Sequence, residues 1–298
     1  MRTDSSTLVI PPGVHRLWLG KRRLFFLGLI SVAVVCYLSL DLALGDLIVP
    51  TAYLQNSKEF FSAAFSPALS YQDATAAATS DSILIRAARG AFTMIRVAAG
   101  AIAIALPIGL ALAYLSSRSW WENSSIPKSR RTILSFLSSA SRTLATFLRS
   151  VHELLWAILF LASLGLTELT GTIAIAIPFA GTFAKVFGEM FDEQDLSTAS
   201  YLNGVGASQL ATFAAGIFPR TFPDLLSYTF YRFECALRSS AVIGFFGMES
   251  LGLYIRQSTE NLYFNETWTY LYALLALLVL FEVWNVKIRA RLLAVSGR

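Results

Sequence analysis

The sequence has few charged residues, and it lacks the motifs on which many soluble enzymes depend. Charged residues make up 14% of its 298 positions, and no Gly-x-x-x-x-Gly-Lys-Ser/Thr loop occurs, so a nucleotide site of that kind is excluded. The two histidines, His15 and His152, are far apart, and no His or Cys cluster has metal-ligand spacing. Cys36 and Cys235 lie in apolar stretches, where thiols serve as small core residues and a structural disulfide is not expected. The sequence therefore predicts that this chain binds no cofactor.

Apolar residues dominate what is present. They account for 55% of the chain, and the mean hydropathy is +0.57. That composition is typical of a polytopic membrane protein rather than of one or two soluble domains. The net charge of +5 is what positively charged cytosolic loops would give, so a nucleic-acid partner has little support.

Six apolar segments predict an all-α membrane protein with about six transmembrane helices and both termini in the cytosol. Basic residues fall on the proposed cytosolic side, beginning with the cluster at 21–23, as the positive-inside rule requires. A signal peptide is the alternative for the first segment, but its apolar run is too long and its basic cluster too far from the start. The predicted spans are 24–40, 91–115, 147–164, 171–190, 223–246 and 267–286.

The spans suggest an organisation in four parts. A cytosolic tail (1–23) precedes the first helix and an external amphipathic segment (24–90), which is interpreted as lying at the membrane interface, with a lid over the pathway as the alternative. The core transmembrane domain (91–290) contains a cytosolic loop at 191–221, called the elbow below. A short cytosolic tail (291–298) ends the chain.

The elbow contains a Gly-Val-Gly break at 204–206 and then a short amphipathic helix, which Pro219 and Pro223 are expected to end. Such a helix either seals the bundle at the membrane surface or couples the spans to a cytosolic partner. Its position before a charged span favours coupling. The residues on its apolar face are Leu210, Phe213, Ala214 and Ile217.

Three predicted spans each carry two opposite charges four residues apart. On a helix this spacing places both side chains on one face, where they neutralise each other. Charges within the membrane are costly and are functional candidates by default, although such pairs also serve only insertion and packing. The pairs are Arg149/Glu153, Lys185/Glu189 and Glu234/Arg238.

Arg232 differs, because no acidic residue lies three or four positions from it. A guanidinium at membrane depth requires an anion, or a carboxylate from another helix such as Glu153. Neighbouring hydroxyl groups add to a path that suits a small oxyanion. The residues predicted to line a substrate pathway are Arg232, Arg238, Glu234, Ser239, Ser240, Tyr228, Tyr231, Glu153 and Lys185.

The elbow and the helix after it resemble those of inner-membrane permeases of binding-protein-dependent ABC importers. In the elbow, Gly206-Ala207 and the later Pro219 match the family pattern, whereas Ser200-Tyr201 stands where the pattern has Glu-Ala and Gly204 where it has Ala. The stretch after the elbow is similar to the signature of the phosphonate-type subfamily. Its matching residues are the run SYTFYRFE at 227–234, Arg238-Ser239 and Val242-Ile243-Gly244. The resemblance extends from about Thr93 to the C-terminus.

The resemblance implies a type I ABC importer permease fold in the inner (plasma) membrane of a prokaryote. It also implies partners: two ATPase subunits that bind ATP and Mg, an extracytoplasmic substrate-binding protein, and a second permease copy, identical or related. Ser200 in place of the usual Glu removes a charge from the ATPase contact. The residues implied to face the ATPase are Ser200, Tyr201, Gly204, Gly206, Ala207, Leu210, Phe213 and Ile217.

The implied activity is import of a phosphonate, phosphite or phosphate by alternating access, with ATP hydrolysed by the partner and not by this chain. A secondary transporter of a small anion is the alternative, and it predicts inverted repeats, of which the sequence has no convincing example. A membrane enzyme or scaffold would instead require clustered acid, base or nucleophilic groups at one interface, and none appears in the sequence.

Overall fold

The computed structural model describes residues 14–40, 51–72, 81–117 and 128–295, and these residues form helices and no β-strand. The chain divides into two units, Met1–Glu59 and Phe60–Arg298. The first unit holds α1 (Val14–Ser39) and most of α2 (Thr51–Ala63). The second holds α3 (Ile83–Ser116), α4 (Lys128–Ser150), α5 (Glu153–Leu164), α6 (Glu168–Asp192), α7 (Ser197–Gly204), α8 (Gln209–Thr212), a π-helical turn (Phe213–Ile217), α9 (Phe218–Gly244), α10 (Leu251–Glu260) and α11 (Phe264–Val295).

Four helical stretches among the described residues are long and apolar enough to cross a membrane. They are Arg22–Ser39, Ile83–Ser116, Glu168–Asp192 and Phe264–Arg291. The bent pair α4 and α5 adds a fifth if it counts as one span. Helix α9 has 27 residues and is also long enough, at about 1.5 Å per residue, but its charged residues set it apart from the others. Each of the six predicted segments overlaps one of these helices or the bent pair.

Helices α3 and α6 form the centre of the second unit and run side by side in the same direction. Gly100 lies opposite Thr172, and towards the other end of the pair Gly188 lies opposite Ser116. A Cβ atom on Gly109 of α3 would collide with the Phe183 Cβ atom of α6 and be 3.1 Å from the Ala180 carbonyl, so a larger residue would push the helices apart. Buried aromatic side chains of α6 fill the space around this pair, with Phe183, Phe187 and Phe191 each no more than 1% exposed.

The predicted continuous span at 147–164 is wrong, because the chain bends by 81° between α4 and α5. No proline or glycine causes this break. Instead, His152 caps the new helix, with its Nδ1 atom accepting a hydrogen bond from the Leu154 amide at 3.3 Å, and Glu153 favours the positive end of the α5 dipole. Residues Arg149 and Glu153 therefore lie on different helices.

The predicted external segment contains ordered structure. Helix α3 begins at Ile83, earlier than predicted, and residues 60–72 lie along the first half of α11. Three α11 side chains donate hydrogen bonds to backbone carbonyls of this segment: Trp268 to Phe60 (2.7 Å), Thr269 to Ala68 (2.7 Å) and Tyr272 to Ala64 (2.8 Å). Its predicted position at the membrane interface stays a prediction.

Candidate substrate pathway and coupling segment

Arg232 lies near the middle of α9, and its guanidinium stacks on the ring of Phe179 in α6. The Arg232 Cζ atom is 4.2 Å from the ring centroid, within cation–π distance. Its Nε atom is buried and has no hydrogen-bond partner in the described part of the chain. Phe179 is 3% exposed, so the cation lies against the packed interior of the bundle. A cation at this depth, with no carboxylate beside it among the described residues, is suited to attract an anion.

Glu153, which was predicted as a partner for Arg232, binds other residues. Its Oε1 atom accepts a hydrogen bond from the Ser239 hydroxyl of α9 at 2.9 Å, and its Oε2 atom is 3.6 Å from the His152 Nδ1 atom. The fold thus brings together two predicted pathway residues, Glu153 and Ser239, but places Arg232 against Phe179.

Ser240 packs inside the protein, and the prediction that it lines a pathway is wrong for this structure. The residue is 0% exposed. Its hydroxyl donates to the Leu237 carbonyl at 2.8 Å and lies 3.4 Å from the Met94 carbonyl of α3. Because it is enclosed between α9 and α3, Ser240 holds helices together and does not face open space.

Glu234 and Arg238 form the ion pair that their spacing predicts. Glu234 is 8% exposed, and its second oxygen lies 3.4 Å from the Asn285 Nδ2 atom of α11. The Arg238 side chain is 55% exposed, so an accessible guanidinium neutralises a buried carboxylate. Since this pair is neutral, the positive charge at the centre of α9 comes from Arg232.

Tyr228 and Tyr231 line a cleft of about 570 Å³ on the elbow side of Arg232. The ends of α6, α9 and α11 form its walls, with Glu193, Asp224 and Arg289 among the lining residues. Because Tyr228 lies one helical turn before Arg232 on α9, the cleft extends from near the cation towards the elbow. This is an arrangement that could lead a polar solute from the centre of the bundle to its elbow end.

Lys185 lies in a different space, a cavity of about 250 Å³ between α4 and α6, called the α4–α6 cleft below. Its Nζ atom is 3.6 Å from Glu189 Oε1, which confirms the predicted pairing. Arg142 and Arg149 of α4 also line the cleft. The structure therefore separates Lys185, on the α4 side of α6, from the stack of Arg232 on Phe179.

The elbow forms a compact turn between α7 and α8. Gly206 has a φ angle of +86°, and the Gly206 and Ala207 amides donate to the carbonyls of Asn203 and Leu202 at 3.1 and 3.0 Å. The Thr212 hydroxyl donates to Asn203 Oδ1 at 3.0 Å, which ties α8 to α7. The turn thus needs a left-handed residue at 206, as a glycine readily supplies.

The start of the elbow is fixed by a local cap. The Asp195 carboxylate accepts hydrogen bonds from the Ser197 hydroxyl at 2.7 Å and from the Ser197 amide at 3.0 Å. These bonds, the hydroxyl bond first, hold the pKa of Asp195 below its usual value. The carboxylate therefore stays charged beside the first turn of α7, where a negative charge is favourable.

The predicted ATPase face of the elbow helix is only partly available. Leu210 is 66% exposed, but Phe213 is 8% and Ile217 0% exposed. The Phe213 ring packs against Tyr114 and Phe191, with centroid distances of 4.8 and 4.9 Å. Phe213 and Ile217 thus hold the elbow against the bundle, and their assignment to a partner surface is wrong. The exposed residues of the predicted set are Ser200, Tyr201, Gly204, Gly206 and Leu210.

Pro219 and Pro223 do not end the elbow helix as predicted. Helix α8, the π turn and α9 follow one another without a gap from Gln209 to Gly244. Pro219 lies in the first turn of α9, where a missing amide hydrogen costs little, and Pro223 is accommodated within the helix. The second half of the elbow and the helix that carries Arg232 are therefore one continuous helical segment.

Comparison with known proteins identifies the family. The model of the binding-protein-dependent transport system inner membrane component matches residues 105–286, more than half of the chain. The chain belongs to this family. The match contains the elbow, Arg232 and the α4–α6 cleft, but not α1, α2, residues 60–72 or Arg289 of the cleft at Tyr228 and Tyr231. Membership makes the permease a multi-pass protein of the prokaryotic inner membrane.

The permease is similar to transport proteins with named substrates. The phosphite transport system permease protein PtxC of Stutzerimonas stutzeri is 27% identical over 149 residues, which are 50% of this chain and 54% of that protein. The phosphate-import permease protein PhnE of Mycolicibacterium smegmatis is 26% identical over 157 residues, 53% of this chain and 30% of that protein. The permease thus spans about half of the first and under a third of the second.

A solved structure confirms the predicted all-α permease fold. The crystal structure of an amino acid ABC transporter with histidines superposes with a TM-score of 0.56, covering 70% of this chain and 94% of that chain at 17% identity. At this identity the likeness concerns the fold alone.

Some contacts of the candidate site residues cannot be read from the sequence. Phe179 becomes the neighbour of Arg232 only through the packing of α6 on α9, and no local pattern marks it. Arg149 looks neutralised by Glu153 until the break between α4 and α5 separates them. The signal that could have revealed the break is the pair His152-Glu153, a capping residue followed by an acidic first turn.

Proposed function

We propose that this permease is the membrane-spanning subunit of an ABC importer that carries a small phosphorus oxyanion into the cell. The observation that carries the proposal is the cation of Arg232, half-buried at the centre of α9, stacked on Phe179, with its Nε atom unpaired among the described residues. The relatives named for phosphite and phosphate transport support the same substrate class. Phosphonate, phosphite and phosphate all present oxygens that a guanidinium binds well.

A single free arginine fits transport better than a cage of cations would. One charge-assisted hydrogen bond contributes roughly 1.5–3 kcal/mol, which is enough to favour an anion and weak enough to release it. The charges of Glu234 and Arg238 are already matched with each other, and the Glu153 carboxylate accepts a hydrogen bond from Ser239. An arriving oxyanion would therefore find Arg232 as the available cation near the middle of α9. The cleft at Tyr228 and Tyr231 would take it onward to the elbow end.

The permease would work in a complex. Two ATPase subunits would bind ATP and Mg and dock on the exposed part of the elbow, where Tyr201 is 73% and Leu210 66% exposed. A substrate-binding protein would deliver the oxyanion at the opposite end. A second permease copy would complete the pathway, because Tyr231 and Val242 of α9 and Phe245 just after it are 42–46% exposed within one chain. The chain itself would be a transport subunit and not an enzyme, with no cofactor of its own.

The test is uptake of ³²P-labelled phosphate, and of labelled phosphite and phosphonate, by cells that express the whole system. Arg232→Gln should lower uptake about tenfold to a hundredfold at matched membrane levels, because one charge-assisted contact is lost. Arg89→Gln is the matched control, since Arg89 is exposed and pairs with Asp81 rather than lying beside Arg232. Normal uptake by Arg232→Gln in an inserted complex would refute the role of Arg232.

A further inference from the structure

The α4–α6 cleft is closed at both ends by the way the two helices meet. At the end away from the elbow the helices touch at Gly181, where a Cβ atom would be 2.6 Å from the Ala145 carbonyl and 3.0 Å from the Arg149 amide. At the elbow end Arg142 reaches across, donating to the Ser116 carbonyl at 2.8 Å and pairing with Asp192 at 3.2 Å. The helices diverge between these two points, and the space of about 250 Å³ remains.

The three cations that line the cleft differ in their hydrogen-bond and ion-pair partners. Arg142 is satisfied by its two partners, and Asp192 also accepts from the Ser117 hydroxyl at 2.6 Å. Lys185 has Glu189 at 3.6 Å, which is longer than a hydrogen bond. Arg149 has no ion-pair or hydrogen-bond partner in the described part of the chain. Three cations and two carboxylates therefore face one space, with two of the cations able to take a further anion.

We propose that the α4–α6 cleft is a second oxyanion site, which holds a phosphate group between Arg149 and Lys185. Two cations on facing helices suit a phosphate, whose oxygens accept several charge-assisted hydrogen bonds at once, and Thr146 adds a hydroxyl to the lining. The site is distinct from Arg232, which lies on another face of α6. It does not depend on which substrate the permease carries.

The phosphate group has two sources: a free phosphate ion from the cytosol or the headgroup of an anionic phospholipid. Basic pockets between transmembrane helices bind such headgroups. A second groove, of about 380 Å³, continues along α4 past Arg142, Thr146 and Phe147, and Phe147 is 58% exposed. An acyl chain would lie there if the ligand is a lipid. Both sources share the same contacts at Arg149 and Lys185.

The first experiment measures binding of ³²P-phosphate by equilibrium dialysis to the delipidated complex in detergent, in an Arg232→Gln background that silences the pathway cation. Arg149→Gln and Lys185→Gln should each weaken binding about tenfold. Lys185→Arg should keep it, and Glu189→Gln should strengthen it several-fold because the competing carboxylate is gone. Arg89→Gln, at the other end of the protein, should change nothing.

The second experiment distinguishes the lipid. Native mass spectrometry of complex extracted from membranes would record retained phosphatidylglycerol, which Arg149→Gln and Lys185→Gln should lose and Arg89→Gln should keep. Weakened phosphate binding with unchanged retained lipid identifies a free oxyanion as the ligand, whereas loss of retained lipid identifies the headgroup. If neither readout changes, or if Glu189→Gln weakens phosphate binding as Lys185→Gln does, the proposal is overturned. Uptake through Arg232 is a separate readout, so failure here leaves the transport function untouched.

Discussion

Gly206 and Gly204 form a matched pair that tests the elbow by backbone geometry alone. Neither glycine has any atom within 4 Å of the position where a Cβ would lie, so an alanine fits at both. Only Gly206 has a positive φ, +86°. Alanine in the left-handed region costs about 1–2 kcal/mol, whereas Gly204 is the last residue of α7, where alanine is tolerated or slightly favourable.

Gly206→Ala should therefore reduce the population of the native turn about fivefold to thirtyfold relative to its alternatives, and Gly204→Ala should not. Since the elbow is proposed to dock on the ATPase, substrate-stimulated ATP hydrolysis and uptake should fall together in Gly206→Ala. Both are measured on the reconstituted complex with binding protein present, and the amount of inserted permease is checked by immunoblot.

Equal activity of the two variants would refute the reasoning, because the φ angle is the difference between the positions. A larger loss in Gly204→Ala would refute it more strongly, since that variant carries no backbone strain. Loss of insertion in Gly206→Ala would mean that the turn is needed for folding. Docking would then be tested by measuring ATP hydrolysis and uptake in Leu210→Ala.

Two further predictions concern packing. Arg238→Gln should leave the buried Glu234 carboxylate without its partner and lower the midpoint of thermal unfolding of the purified complex. The cost is roughly 1–3 kcal/mol, because Arg238 is itself half-exposed. Adding Glu234→Gln should restore the midpoint, and a double variant as unstable as the single one would contradict the pairing. Phe213→Ala should destabilise the permease by about 3–5 kcal/mol because the ring fills a buried site, while Leu210→Ala, at an exposed site, should leave unfolding unchanged and weaken ATPase stimulation. Equal unfolding midpoints for these two variants would contradict the burial argument.

The sequence predicted the parts of this permease that follow from local spacing. Residues four apart on a continuous helix share a face whatever surrounds them, so the pairs Lys185/Glu189 and Glu234/Arg238 were predictable. Apolar run length likewise predicted most of the spans. The same rule failed for Arg149, because it assumes a continuous helix and the chain bends before Glu153.

What could not be predicted depends on which face of a helix meets a neighbour. Leu210, Phe213 and Ile217 share an apolar stripe, and periodicity alone cannot say whether such a stripe faces a partner or the protein's own core. Phe213 and Ile217 face the core, because Tyr114 and Phe191 supply an aromatic pocket from two distant helices. The prediction for Ser240 was wrong for the same reason, because α3 covers its side chain.

The continuous helical segment from Gln209 to Gly244 connects the elbow directly to Arg232. At about 1.5 Å per residue, the start of α8 lies roughly 35 Å along the helix from Arg232, with no chain break between them. The π turn is the irregular point in that path, and it lies where the elbow packs: a Cβ atom on Gly216 would be 3.5 Å from Ala199 of α7. Since π turns inside α-helices are frequent at functional sites, we expect a displacement of the elbow to rotate α9 and to change how Arg232 lies on Phe179. The cation is the group most easily moved by such a rotation, because Ser239 and Glu234 are hydrogen-bonded to α5 and α11 while Arg232 only stacks.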